Sequence, residues 1–388
     1  MNREGLDLSS KEKERRWSLV REKMAQQGLG AMIVYGDNVA AREVACRYLT
    51  NMSIDCNCRH ILLFPVDSDP ILLVGVSSVN VFFGKKIAWV PAPNIERSFN
   101  LGGDLTKHLV RLNLQKRRIG IESPGEWPVR EYMAVKELWP DVELVDTTGL
   151  LAEVRRPKSS EELKLMEEAI RVGELAQVTF LANLKEGLTE EQVVGKVEDV
   201  IRSNGVERRF WLLSSSPQLP YPWLPGQTNI KRPNPIAFSA EFQRTRGYAC
   251  QVGRTYCWEE PKGEYKRMWE LWKELRRIAL KDLRPGCAVV EFATKIEDMV
   301  NEWGFECDYM GHGLGVSFFD PPAFNSRPER EGARSVIMTN EVIVFHPMIR
   351  CKGGKGPLAW IADMYLTGED ATKWMTPFLP GLPELIPR

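Results

Sequence analysis

Net charge and histidine are what this sequence has least of. Fifty-two lysines and arginines offset 52 aspartates and glutamates, so no overall field draws in nucleic acid or an anionic membrane, and neither is expected as a partner. Four histidines, His60, His108, His312 and His346, are the whole supply of imidazole. No apolar run approaches the roughly 20 residues of a bilayer-crossing helix. The opening stretch MNREGLDLSSKEKERR lacks the apolar segment of a secretory leader, so a cytoplasmic protein is expected. Eight cysteines stand at 46, 56, 58, 250, 257, 287, 307 and 351, without a CxxC pair. Cys56 and Cys58 are too close in sequence for the usual zinc clamp, and free thiols in a reducing compartment are the expectation.

What is present reads as a globular protein. Of 388 residues, 43% are hydrophobic and 27% charged, which suits two domains. Residues 10–27 carry Trp17, Val20 and Met24 at helical spacing, and a strand over 31–35 follows the Gly28 and Gly30 stop signals. Residues 60–65 and 70–74 flank a Val-Asp-Ser-Asp turn and predict a hairpin; further strands are expected at 86–91, 118–122 and 142–146, with helices between them. Arg-Arg-Pro-Lys158 marks a boundary, after which Ser159 or Ser160 caps a helix and Thr189-Glu-Glu-Gln192 is a capping box. The expected domains are therefore 1–155 and 156–388. Residues 214–235, rich in Ser, Pro and Gly, form a long irregular connection of the kind that lines sites. Strands at about 236–243 and 247–256, helices at about 262–282 and 289–303, and strands at about 341–347 and 358–367 complete the reading.

Several short motifs in this order resemble one superfamily. Leu-Arg-Pro-Gly286, Gly311-His-Gly-Leu-Gly315 with Phe-Asp-Pro-Pro322, Gly247-Tyr248 leading to Gly-Arg-Thr255, Val-Phe-His-Pro-Met348 and Tyr365-Leu-Thr-Gly-Glu-Asp370 resemble the creatinase, aminopeptidase P and prolidase superfamily. The resemblance implies an α/β creatinase-type N-terminal domain followed by an α+β pita-bread domain. Peptidases of that superfamily resemble one another in a two-metal site of Asp, Asp, His, Glu and Glu. Carried over, those positions fall at Ala240 (or, with a one-residue slip, Ser239 or Glu241), Gln251, His312, His346 and Ala362, with Asp363 beside the last. Two hard cations need bridging carboxylates, so no metal and no other cofactor is expected. A mononuclear site from His312, His346 and Asp363 or Glu241 is the metal-bearing alternative.

Creatinase and ectoine hydrolase are similar in cleaving C–N bonds on this fold without metal. The implied function is a metal-independent hydrolase of a C–N bond in a small carboxylate-bearing, betaine-like zwitterion. A dipeptidase- or aminopeptidase-like metallohydrolase, a lyase and a non-catalytic binding protein are the alternatives. Trp223 and Gly253 stand where creatinase has its histidine base and its glutamate, so proton transfer is assigned to His312 and His346, with Glu241 and Asp363 orienting. Arg59 and Arg254 are expected to hold the substrate carboxylate, and Tyr248, Gln251, Trp223, Phe319 and Trp360, with Trp211 and Tyr221, to line the cavity. Cys250 is read as a small buried residue rather than a nucleophile. The resemblance also implies a homodimer in which Asp55, Arg59 and His60 approach the neighbour's site.

Overall fold

The computed structural model describes residues 7–37, 40–53, 58–216, 221–326, 335–353, 358–378 and 384–386. The chain divides into two compact units, Met1–Arg155 and Arg156–Arg388.

The N-terminal unit is a six-stranded mixed sheet in the order β4-β3-β2-β1-β5-β6. Its helix α1 (Ser10–Gln26) starts where the Ser9 side chain accepts from Glu12 N, and buries Trp17, Val20 and Met24. Strands β1 (Leu29–Gly36), β2 (His60–Pro65) and β3 (Ile71–Gly75) are buried along their whole length, and β2 and β3 form the expected hairpin. Helix α2 (Ala40–Thr50) lies between β1 and β2. Residues 86–91 are not a strand. The Ser77 hydroxyl caps α3 (Ser78–Ile87) by accepting from Asn80 N, so Lys86 and Ile87 close that helix, residues 88–91 are irregular, and β4 forms later, at Ile95–Ser98. Then come α4 (Leu101–Arg111), β5 (Arg118–Glu122), α5 (Val129–Leu138), β6 (Leu144–Asp146) and α6 (Leu150–Arg155).

The C-terminal unit opens with two long helices whose starts are specified locally. Ser159 with Glu162, and Thr189 with Gln192, form reciprocal capping boxes for α7 (Ser160–Asn183) and α8 (Glu190–Ser203). Strands β7 (Val206–Ser214), β8 (Ile236–Arg244) and β9 (Ala249–Cys257) follow. Between β7 and β8 the described residues form no helix or strand, and Trp223 exchanges two backbone hydrogen bonds with Leu213. Helices α9 (Gly263–Asp282) and α10 (Val289–Glu302) precede β10 (Phe305–Cys307), β11 (Gly311–Gly313), β12 (Asp320–Phe324), β13 (Val342–Phe345), β14 (Ile349–Cys351), β15 (Leu358–Ala359), β16 (Asp363–Leu366), β17 (Lys373–Trp374) and β18 (Glu384–Leu385). The sheets are β18-β9-β8-β7, β12-β11-β13-β16-β17 and β10-β14-β15. The first two meet where Gly253 and Ala362 exchange backbone hydrogen bonds at 3.1 and 3.2 Å. A core of Trp269, Trp272, Phe292, Phe345 and Ile361 packs α9 and α10 against the second sheet. No described helix is long and apolar enough to cross a membrane.

Candidate functional site

The site is built around His312 and His346, which β11 and β13 bring together. Gly311 has φ 153°, and a Cβ there would stand 2.2 Å from the Val344 carbonyl oxygen; only glycine lets β11 run this close to β13. The register sets His312 opposite Val344 and Gly311 opposite Phe345, the residue before His346. The imidazole centroids are 5.2 Å apart with the planes at 70°. Both rings are buried, His312 to 1% and His346 to 5% exposure. His312 Nδ1 donates to the Gly313 carbonyl at 2.8 Å, which leaves Nε2 as an acceptor. That Nε2 and both ring nitrogens of His346 have no hydrogen-bond partner among the described residues. Each such buried atom costs about 1–3 kcal/mol unless a bound molecule supplies the partner. Burial lowers the His312 pKa to about 4; burial, reinforced by His312, lowers that of His346 to about 3.

Aromatic rings enclose the pair. Phe319 lies 4.7 Å from His312, and Trp360 lies 6.3 Å from His346. Tyr309 contacts both imidazoles, at 5.9 and 5.7 Å, and burial pushes its phenol up to about 12. Sequence reasoning missed Tyr309, although it stands two residues before the Gly-His-Gly turn.

A second group sits on the β8–β9 hairpin. Glu241 pairs with Gln251 and Ala240 with Val252, so Glu241, not Ala240, shares a face with Gln251. Its Oε1 accepts from Ser239 Oγ and Gln251 Nε2, each at 3.2 Å. Burial raises the Glu241 carboxyl to about 7, against a smaller lowering effect from Ser239. Close backbone contacts link the strands that carry the two groups. A Cβ at Gly253 would lie 3.2 Å from Ala362 Cβ and 3.5 Å from Ser239 Oγ. Two residues before Ala362, Trp360 stands against His346 and donates its indole N–H to the His346 carbonyl at 3.3 Å.

Other expected site residues are placed elsewhere. Arg254 is wholly buried and spends its donors on the Gly253, Ala362, Thr376 and Phe378 carbonyls and on Asp363, so it holds the fold rather than a substrate carboxylate. Asp363 is gripped at 3.1 Å by Arg254 and at 2.9 Å by Arg276, and accepts from Thr376 Oγ1. With two guanidiniums and a hydroxyl on it, that carboxylate is structural and has no oxygen to give to chemistry. Arg276 sits on the apolar face of α9 with Met268, Trp272 and Ala279, a helical spacing that the sequence alone displays. Tyr248 is buried and donates to Glu162 at 2.8 Å, so its hydroxyl is engaged with α7. Trp223 is 68% exposed, Trp211 stacks on Phe238 and donates to Glu198, and Tyr221 donates to Asp308; none is in ring contact with the imidazoles among the described residues. Cys250 is fully buried with its thiol pKa strongly raised, as a packing residue would be. In the N-terminal unit Arg59 pairs with Glu131 at 3.1 Å, and His60 opens β2 with no exposed surface. Asp55 lies outside the described residues.

The donor set does not fit a pair of bridged cations. Ala240, Gln251 and Ala362 supply no anionic oxygen, and Asp363 is committed to two arginines. Among the described residues no group of three or more His, Cys, Asp or Glu could hold a metal ion.

Comparison with known proteins agrees with the architecture. The description "Creatinase/Prolidase N-terminal domain" matches residues 16–156, and "Metallopeptidase family M24" matches residues 164–369. An Xaa-Pro dipeptidase of Pyrococcus horikoshii is 23% identical over 268 residues, covering 67% of this chain and 73% of that protein. A creatinase of Bacillus sp. is 22% identical over 267 residues, covering 63% and 62%. The solved structure of an Xaa-Pro dipeptidase from Bacillus anthracis superposes with a TM-score of 0.79 at 18% identity, over 96% of this chain and 99% of that one. Creatinase-type domain, pita-bread domain and the family match over more than half the chain all agree: the protein belongs to metallopeptidase family M24 and is a hydrolase acting on C–N bonds.

Proposed function

We propose that the C-terminal unit hydrolyses a C–N bond in a small, carboxylate-bearing substrate of dipeptide size, with Xaa-Pro dipeptides the first class to try. The observation that carries the reading is the buried imidazole pair with three ring nitrogens awaiting a partner. The relatives named Xaa-Pro dipeptidase support a peptide substrate better than the betaine-like metabolite expected from the sequence, and the one named creatinase supports the wider class of C–N bonds.

The proton chemistry is assigned by environment. An acid or base works best with a pKa near the operating pH. At about 7 Glu241 meets that condition, whereas the imidazoles, at about 4 and 3, are neutral at physiological pH. Glu241 therefore moves the proton. Neutral His312 and His346 position the scissile group by hydrogen bonds, and Gln251 and Ser239 hold the carboxyl. Phe319 and Trp360 supply apolar walls. Turnover of Xaa-Pro dipeptides and of guanidino acids tests this: Glu241→Gln should lower kcat by about 10²–10⁴-fold, and His312→Ala should abolish turnover with folding intact. Ligand-induced stabilisation without product would favour a binding protein instead.

A second reading, that the reaction runs without a dinuclear centre, is favoured by the donor set alone. Elemental analysis of protein purified without chelator tests it, with less than one equivalent of metal expected. Two bound equivalents would overturn it.

A further inference from the structure

The N-terminal unit contains a cavity of about 260 Å³ that this reaction does not use, lined by Arg59, Ser98, Asn100, Gly102, Arg130 and Glu131. Its floor is the seam between α4 and α5. A Cβ at Gly102 would come within 2.6 Å of Ala134 Cβ, so glycine lets the first turn of α4 lie directly on α5, beside Glu131. At that turn the Asn100 side chain accepts from Gly103 N at 3.2 Å, and the helix start favours negative charge. Arg130 is exposed and forms no ion pair among the described residues. Glu131 is the discordant member. It is only 8% exposed; Oε1 accepts from Arg59 Nη1 at 3.1 Å, while Oε2 is buried with no hydrogen-bond partner among the described residues.

The geometry points to a binding site for a small zwitterion of the α-amino-acid class, with its carboxylate on Arg59, Arg130 and the start of α4 and its ammonium on Glu131 Oε2. Each half of the ligand answers a separate feature. Guanidiniums pair with carboxylates in forked geometry, and a buried carboxylate oxygen without a donor is costly until one arrives. A simple anion would leave Oε2 unpaired and add a like charge beside it, and a simple cation would face two guanidiniums. The volume is below the roughly 300–1,000 Å³ of sites for drug-sized ligands, which suits one small metabolite. The site lies within the N-terminal unit and shares no residue with the imidazole site of the C-terminal unit.

Isothermal titration of the full-length protein with glycine, L-alanine and L-proline tests it, with acetate and methylammonium as the two half-ligands. Saturable binding of at least one amino acid is expected, with each half-ligand at least tenfold weaker. Arg130→Ala and Glu131→Gln should each weaken binding at least tenfold, and His312→Ala should leave it unchanged. Circular dichroism checks that Glu131→Gln is folded, and exposed Arg130 keeps the test open if it is not. The proposal is overturned by the absence of saturable binding. It is equally overturned if acetate binds as well as the amino acids in both parent and Glu131→Gln, or if binding is lost in His312→Ala but retained in Arg130→Ala.

Discussion

Replacing Glu241 by glutamine keeps the side chain's shape and removes its titration. Burial holds the carboxyl at about 7, against an ordinary 4.5. Between those values the folded protein keeps a proton that the unfolded chain has released, so the unfolded state binds fewer protons and stability falls as pH rises. At about 1.4 kcal/mol per pH unit the gap amounts to about 3 kcal/mol, fully felt above pH 7 and absent below about 4.5. The variant does not titrate there. Its stability relative to the parent should therefore rise by about 3 kcal/mol between pH 4.5 and 8, or roughly 6–12 °C in Tm for a unit of this size. Melting curves of both proteins at pH 4.5, 6 and 8 measure this, and every other titrating group cancels in the difference. Parallel curves for parent and variant across that range would refute the assignment of Glu241 as a carboxyl poised at neutrality.

His346 works in the opposite direction: its folded pKa, about 3, lies below the ordinary 6.5, so the stability it supports is present above pH 6.5 and lost as pH falls toward 3. His346→Leu should flatten the acid limb in urea titrations at pH 4 and 7, and an unchanged limb would contradict the burial argument. Asp363→Ala strands two guanidiniums in the interior and should cost about 3–5 kcal/mol in urea unfolding at pH 7; a loss under 1 kcal/mol would mean that Arg254 and Arg276 have other sufficient partners. Light scattering should return twice the monomer mass if the homodimer implied by the resemblance forms, and a monomer at micromolar concentration would remove the idea that Arg59 serves a neighbour.

Local signals were legible and long-range ones were not. The capping boxes at Ser159 and Thr189 and the hairpin around Gly247 can be read because their chemistry lies within a few residues. The run at 86–91 misleads because its first two residues close a helix started by Ser77, nine residues before the run begins, and residues 88–91 are in no strand. Which of Ser239, Ala240 and Glu241 faces Gln251 depends on strand register, a property of two strands rather than one. His312 and His346 were identifiable by their motifs. Their low pKa values, and the higher one of Glu241, come from burial that the whole unit creates and that no single stretch of sequence displays. Arg254 and Asp363 were misread for a related reason: in sequence they are a cation and an anion near a site, and only the fold shows that they neutralise each other.

That ion cluster also bears on the chain's final segment. Arg254 reaches the Thr376 and Phe378 carbonyls and lies 5.4 Å from the Phe378 ring, while Arg276 rests 4.1 Å from the ring of Trp374. Residues 374–378 therefore act as a stopper in the interior, not as a dispensable tail. A deletion beginning at residue 374 would strip two acceptors and two aromatic faces from buried cations at one stroke. Engineers seeking a shorter version should leave this stretch intact.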